Sequence, residues 1–339
     1  MMNCNYNNYM NIALGFDKNF LPHAATTIKS IIANNKNTHI NFFLMINHSI
    51  NIIDRFLLKL LIGKTNNVKF FNMSKKFDNL FQGFWSTAMY YPILLPSLCN
   101  DKRILFLDAD TVILGSLIPF YNTNLDGYYC AAVKDYGLDI QMKKGKTKLK
   151  INKKGHFMTI SDFMHNKLKF TESELQNYFN SGVLLLNLEK IRQDKIENKM
   201  IDYVKNRDLM FPDQDCLNVF FKNKTKLMPY KYNYQVISNY CIELFDENDV
   251  KNYKEYINRN KNPLIIHYLN KPFRNLNVLF GDKYYYYRNK TFWRFTIDKN
   301  IKKRLIRLKL SPKGCYLSLL GNKIFDNNNL LQTGDLINA

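Results

Sequence analysis

Paired cysteines are missing from this chain. Its six cysteines (Cys4, Cys99, Cys130, Cys216, Cys241 and Cys315) are scattered with no C-x-x-C among them, so neither a zinc site nor a disulfide framework is suggested. They read as small buried hydrophobes. No run approaches 18 apolar residues, and the opening MMNCNYNNYM has neither the basic start nor the apolar stretch of a secretory signal. The expected location is therefore the cytosol, without a membrane span. Acidic residues are scarce: 28 Asp and Glu against 49 Lys and Arg leave a formal net charge of +21. That imbalance points to a polyanionic partner, whether nucleic acid, an anionic membrane surface or a phosphorylated substrate. The familiar nucleic-acid modules, an aromatic RNP motif or paired Cys/His, are also missing, so no nucleic-acid partner is expected.

Apolar residues make up 46% of the 339 positions and aromatics 14%, enough for a large core. Continuous apolar runs at 11–16, 39–46, 67–72 and 103–107 read as strands. Between the first three lie helical patterns near 19–34, where Ala24, Ile28, Ile31 and Ile32 recur at helical spacing, and near 50–62. This β-α-β-α-β rhythm predicts an α/β fold with a mostly parallel sheet, whose ligands gather beyond the carboxyl ends of the strands. Further strands are expected at 178–188 and 264–268, helices near 190–206 and 214–222, and a loop-rich excursion over 134–170.

Charge divides the chain unevenly. Residues 283–339 hold 12 Lys/Arg against 3 Asp, and they are read as a basic extension following a main domain of residues 1–282. Within that extension, FTIDKNIKKRLIRLKL (295–310) places Ile297, Ile301, Leu305 and Leu308 on one helical stripe, with Lys299, Lys302, Lys303, Arg307 and Lys309 elsewhere on the helix. Such a basic amphipathic helix predicts association with an anionic membrane surface, or else packing on the main domain.

Asp108 and Asp110 follow the apolar strand RILFL directly, in ILFLDADTVILG (104–115). Two carboxylates one residue apart at a strand end can aim at one hard cation, and Mg²⁺ or Mn²⁺ prefers such oxygen ligands. Four other segments stand out: NIALGFDKNF (11–20), YFNSGVLLLNLEK (178–190), FPDQDCLN (211–218) and LIIHYLNKPF (264–273). Each has an ordinary structural reading, as a helix cap, a strand-opening turn, an acidic first helical turn or a structural histidine.

Together the five segments resemble family 8 of the retaining glycosyltransferases, which includes bacterial lipopolysaccharide galactosyl- and glucosyltransferases. The resemblance covers roughly residues 11–275, with a weaker echo at YRNKTFWRF (287–295). It implies a GT-A fold and transfer of glucose or galactose from a UDP-hexose to a saccharide acceptor, by its lipopolysaccharide members a lipid-linked lipopolysaccharide or lipooligosaccharide core. By that likeness Asp108, Asp110 and His267 would hold Mn²⁺ or Mg²⁺. Asp17, Asn19, Phe20, Ala109, Asn180, Asn270 and Lys271, with Asp108, would contact the donor. Gln214 would face the reactive sugar carbon, and Asp213 and Asp135, the latter in AAVKDYG (131–137), would bind sugar hydroxyls. The chain departs from the family at MYYPILLP, where Pro92 stands in place of a frequent Arg, and in a His267 to Lys271 segment two residues short. Alternative readings are a non-catalytic carbohydrate- or nucleotide-binding relative or, further off, a nucleic-acid-binding protein.

Overall fold

The computed structural model describes residues 9–74, 77, 80, 86–144, 148–151, 154–237, 262–274 and 278–296. The expected rhythm opens the fold: β1 (Tyr9–Phe16), helix α1 (Leu21–Asn34), β2 (His39–Ile46), helix α2 (Ile52–Ile62) and β3 (Asn67–Asn72). Local chemistry sets the helix ends. Proline enters α1 in its first turn, where no amide hydrogen is missed. A capping box between Asn51 and Asp54 starts α2, and Gly63, at φ 77°, ends it.

The remaining strands are β4 (Arg103–Leu107), β5 (Thr111–Ile113), β6 (Cys130–Lys134), β7 (Lys148–Lys150), β8 (Phe157–Thr159), β9 (Phe179–Asn187), β10 (Thr225–Leu227), β11 (Tyr234–Val236) and β12 (Ile265–Tyr268). Among the described residues they form a seven-stranded sheet in the order β10-β6-β9-β4-β1-β2-β3, a three-stranded sheet β11-β12-β5 and the hairpin β7-β8. The large sheet is mostly parallel, and β9 runs antiparallel between β4 and β6. Successive residues of the central strands enter opposite cores. Phe106 and Leu184 pack on one side of the sheet, and Leu105, Leu107 and Leu185 pack on the other with Ile28 of α1 and Leu58 of α2. Burial on both faces explains why these strands are continuously apolar.

The 134–170 segment is more ordered than its sequence suggests. It contains a helix at Tyr136–Lys144, the β7-β8 hairpin and a short helical stretch through Lys167. Its apolar residues are too sparse to show a period. Pro92 is accommodated in a 3₁₀ helix, Thr87–Leu94, capped by the Ser86 side chain. A helix at Gly281–Arg288 spans the 282/283 division and packs on α1, with Tyr284 Oη 2.5 Å from His23 Nδ1 and Tyr287 Oη accepting from Asn34 Nδ2 at 2.7 Å. The basic stripe beyond residue 296 lies outside the described residues.

Candidate active site

The antiparallel direction of β9 builds the site. Its first residues lie beside the carboxyl ends of β4 and β6, so Asn180, Ser181 and Gly182 meet Asp108 and Asp135 at the strand ends in the middle of the sheet. The Asp108 amide donates to the Gly182 carbonyl at 2.8 Å. The register between β9 and β6 shifts at Ala132/Val133, a bulge that re-aims the strand's opening residues. The small sheet supplies the third component, because antiparallel pairing of β12 with β5 sets His267 opposite Thr111.

One ligand atom from each of Asp108, Asp110 and His267 lies within 4.8 Å of the others. His267 Nε2 is 3.6 Å from Asp108 Oδ2 and 3.3 Å from Asp110 Oδ1. Asp110 Oδ1 is buried and makes no hydrogen bond, while Oδ2 pairs with the Lys271 ammonium. Two carboxylates, one imidazole and an orphaned buried oxygen suit a hard divalent cation such as Mn²⁺ or Mg²⁺. Asp108 leaves 42% of its side chain open to the cavity. Burial on its other sides, and then the Asp110 charge, pushes its carboxyl up to about 6. Burial acts on Asp110 in the same sense, but Lys271 and His267 outweigh it and hold that carboxyl below the usual range.

A chain of amides connects this cluster to the opposite wall. His267 Nδ1 lies 3.1 Å from Asn233 Oδ1, so a proton on Nδ1 leaves Nε2 free to face the carboxylates. Asn233 Nδ2 donates to Asn180 Oδ1 at 3.0 Å, and Asn180 Nδ2 donates to Asp135 Oδ2 at 3.0 Å and to Gln214 Oε1 at 3.2 Å. Gln214 Nε2 donates to the same Asp135 oxygen at 3.0 Å. Both ends of the Gln214 amide are thereby fixed.

The Pro212–Phe220 helix separates the two aspartates of Asp-Gln-Asp. Asp213 accepts from Ser181 Oγ at 2.7 Å beside the cavity, and burial pushes it up to about 7 against that hydrogen bond. Asp215 turns into the core, where Tyr178 Oη and the amides of Met210 and Phe211 donate to it at 2.7, 2.9 and 2.8 Å. Asp215 therefore braces the fold, Asp213 stays beside the cavity, and neither joins the Asp108, Asp110 and His267 cluster.

Phe20, Asp108, Ala109, Asp110, Asp135, Asn180, Asp213, Gln214, His267 and Lys271 all line one cavity of about 380 Å³. Asp17, Asn19 and Asn270 are not among its lining residues. Asp17 Oδ1 accepts from the amides of Asn19 and Phe20 at 2.9 and 3.1 Å, which closes the turn leading into α1, while the helix's own N-cap residue, Phe20, makes no side-chain cap. Sequence reasoning missed Asn233, Ser181 and Arg274. Arg274 adds a second cation to the cavity lining beside Lys271, and its place three residues after Lys271 was the available signal. Nothing in KYNYQV marks Asn233. Replacing Asn233 with Ala should weaken Mn²⁺ binding roughly 10- to 100-fold by freeing the His267 ring. Calorimetric titration would check this, and unchanged affinity would refute the orienting role.

Solved structures share this architecture. The apo bifunctional glycosyltransferase WbbM aligns over 88% of this chain and 53% of that one, with a TM-score of 0.75 and 21% identity. The galactosyltransferase LgtC, in complex with donor and acceptor sugar analogs, aligns over 87% and 99%, with a TM-score of 0.62 and 20% identity. The fold is thus that of the GT-A glycosyltransferases. More narrowly, the chain belongs to glycosyl transferase family 8, whose model matches residues 11–276. Lipopolysaccharide 1,2-glucosyltransferase of Escherichia coli K12 is 29% identical over 297 residues, 84% of this chain and 79% of that protein. Lipopolysaccharide 1,3-galactosyltransferase of Salmonella typhimurium is 26% identical over 239 residues, 68% and 65% of the two chains.

Proposed function

We propose that the protein is a retaining hexosyltransferase that moves glucose or galactose from a UDP-sugar to a saccharide of a lipopolysaccharide core at the cytoplasmic membrane face. The observation that carries this reading is the placement of Asp108, Asp110 and His267 in the same cavity as the Asn180, Gln214 and Asp135 amide network. Bound there, Mn²⁺ or Mg²⁺ would neutralise charge growing on the leaving diphosphate. Lys271 and Arg274 add cationic charge for the same phosphates. Asp17, Asn19, Phe20, Ala109 and Asn270 are assigned to the nucleotide, and Asp135, Asn180 and Asp213 to sugar hydroxyls.

A carboxylate nucleophile close to the anomeric carbon would give retention through a covalent intermediate. Gln214 presents an amide there, a poor nucleophile. Asp135 is the nearby carboxylate, but two side-chain amides and the Leu138 amide already donate to it. We therefore favour front-face displacement. The acceptor hydroxyl oxygen bonds to the anomeric carbon as the bond from that carbon to the diphosphate oxygen breaks, and the hydroxyl proton passes to the departing phosphate. The test is a screen of UDP-hexoses for Mn²⁺-dependent turnover, repeated with lipopolysaccharide core fragments. No turnover with any UDP-hexose would leave a non-catalytic binding relative as the better reading.

Replacing Gln214 with Ala should slow transfer roughly 100-fold while leaving UDP affinity unchanged, since the amide acts at the sugar. Loss of UDP affinity with an intact turnover number would overturn that role.

No helix among the described residues is long and apolar enough to cross a membrane. Independently of that, the apolar spacing and basic content of residues 297–310 in the sequence support a peripheral contact with an anionic lipid surface. A chain ending at Thr296 should sediment less with anionic vesicles, and the difference should shrink as salt rises. Equal sedimentation of both chains would refute it.

A further inference from the structure

Helix α2 is apolar almost all round. Leu58, Leu61 and Ile62 face inward, yet Ile52 is 83% exposed, Ile53 64%, Phe56 58% and Leu60 53%. Ile52, Phe56 and Leu60 follow one another four residues apart, so they form one continuous ridge along the helix. Single exposed apolar residues are ordinary, whereas a ridge of them on a surface helix marks a contact face.

The rim of that ridge is basic. From 47 to 74 the chain carries Arg55, Lys59, Lys64 and Lys69 against one acid, Asp54. Asp54 is buried, and its carboxylate accepts from Lys18 Nζ at 2.5 Å and from the Asn51 amide at 3.1 Å, so it contributes no exposed negative charge. Next to α2 lies β3, the edge strand of the large sheet. Arg55 stands over the Phe70 ring at 5.9 Å on the α2 side of the sheet, and Lys69 over Phe71 at 5.4 Å carries cationic and aromatic character round the strand to the opposite face.

We propose that the α2 and β3 edge docks the protein on an anionic lipid surface. An apolar ridge bordered by Lys and Arg is the chemistry of a helix lying in a membrane interface. A second copy of the chain fits less well, because a two-fold contact would set the same basic rim against itself. The chain's own residues 297–339 fit less well too, with eight Lys/Arg against three Asp. The exposed Ile52 and Ile53 lie at the end of α2 that follows β2, near the carboxyl ends of the strands. There Lys18 joins the two segments, its amide donating to Ser49 Oγ at 3.1 Å and its ammonium to Asp54. Phe16 and Phe20, on either side of Lys18, line the cavity. Docking through this face would hold the cavity mouth near the bilayer. Only the consequence for a lipid-linked acceptor rests on the proposed transferase reading; the docking itself does not.

The experiment compares the full-length protein with two triple variants, Ile52→Ser/Phe56→Ser/Leu60→Ser and Lys59→Gln/Lys64→Gln/Lys69→Gln. Sedimentation uses phosphatidylcholine vesicles with and without phosphatidylglycerol, and melting temperature, solution mass and UDP-sugar hydrolysis are measured alongside. The native chain should partition onto the anionic vesicles only. Each triple variant should partition at least about tenfold less, with melting and hydrolysis unchanged. Native partitioning by both variants overturns the proposal. So does unchanged partitioning combined with a fall in melting temperature, which would show the ridge packed by the chain itself, or with loss of a dimer. Absence of hydrolysis in all three proteins would sink the transferase reading while the partition result still decides the docking.

Discussion

Replacing Asp110 with Asn should lower turnover roughly 1,000-fold and abolish the stabilisation of the protein by Mn²⁺. The substitution keeps the shape and removes the charge. Asp110 is the more deeply buried of the two carboxylates, and it is held ionised by Lys271 and His267 against the cost of burial. Its Oδ1 makes no hydrogen bond in the protein, as suits an oxygen reserved for a cation. A ligand that binds only the folded protein raises its stability by about 2.7 kcal/mol at 100 times its dissociation constant. A thermal shift with Mn²⁺ should therefore appear in the native protein and vanish in the variant. Without Mn²⁺ the variant should still melt cooperatively, because Lys271 is partly exposed and can turn to water once its partner is gone. Native turnover in the variant, or an undiminished Mn²⁺ shift, would remove Asp110 from the ligand set.

The sequence disclosed this carboxylate pair more readily than its surroundings. RILFL is bounded by polar residues and buried on both faces, so strand, end and acidic pair could be read from consecutive positions. His267 required the resemblance, because its approach to Asp110 depends on β12 pairing with β5 across more than 150 residues of chain. Asn233 was invisible for the same reason: its function is a pair of side-chain bonds to partners brought in by two other strands. Asp17 shows the converse case. The residue type suited both a nucleotide contact and a helix cap, and its carboxylate closes the turn leading into α1 without capping the helix itself. The segment 134–170 hid its helix and hairpin because Lys and Gly dilute its apolar pattern below any recognisable period.

Gly182→Ala should damage the site nearly as much as loss of a ligand, although glycine contributes no functional group. A Cβ at this position would lie 2.3 Å from His267 Cε1, 2.8 Å from His267 Nδ1 and 2.7 Å from Asp108 Oδ2. Something must move, and β9 has little freedom to do so. It is hydrogen-bonded to β4 on one side and β6 on the other, and the Gly182 carbonyl accepts the Asp108 amide. The imidazole is the easier group to displace, which breaks its contact with Asn233 and pulls Nε2 away from Asp110. The expected results are Mn²⁺ affinity and turnover each reduced roughly 100-fold, consistent with loss of an oriented ligand, and overpacking that costs about 1–3 kcal/mol of stability. Gly115→Ala is the control, since its Cβ would meet only Leu264 Cδ1 and Cγ, both at 3.7 Å, an ordinary van der Waals distance. It should leave Mn²⁺ affinity and turnover unchanged. If Gly182→Ala binds Mn²⁺ as tightly as Gly115→Ala does, the close approach of β9 to the His267 ring is not what sets the site.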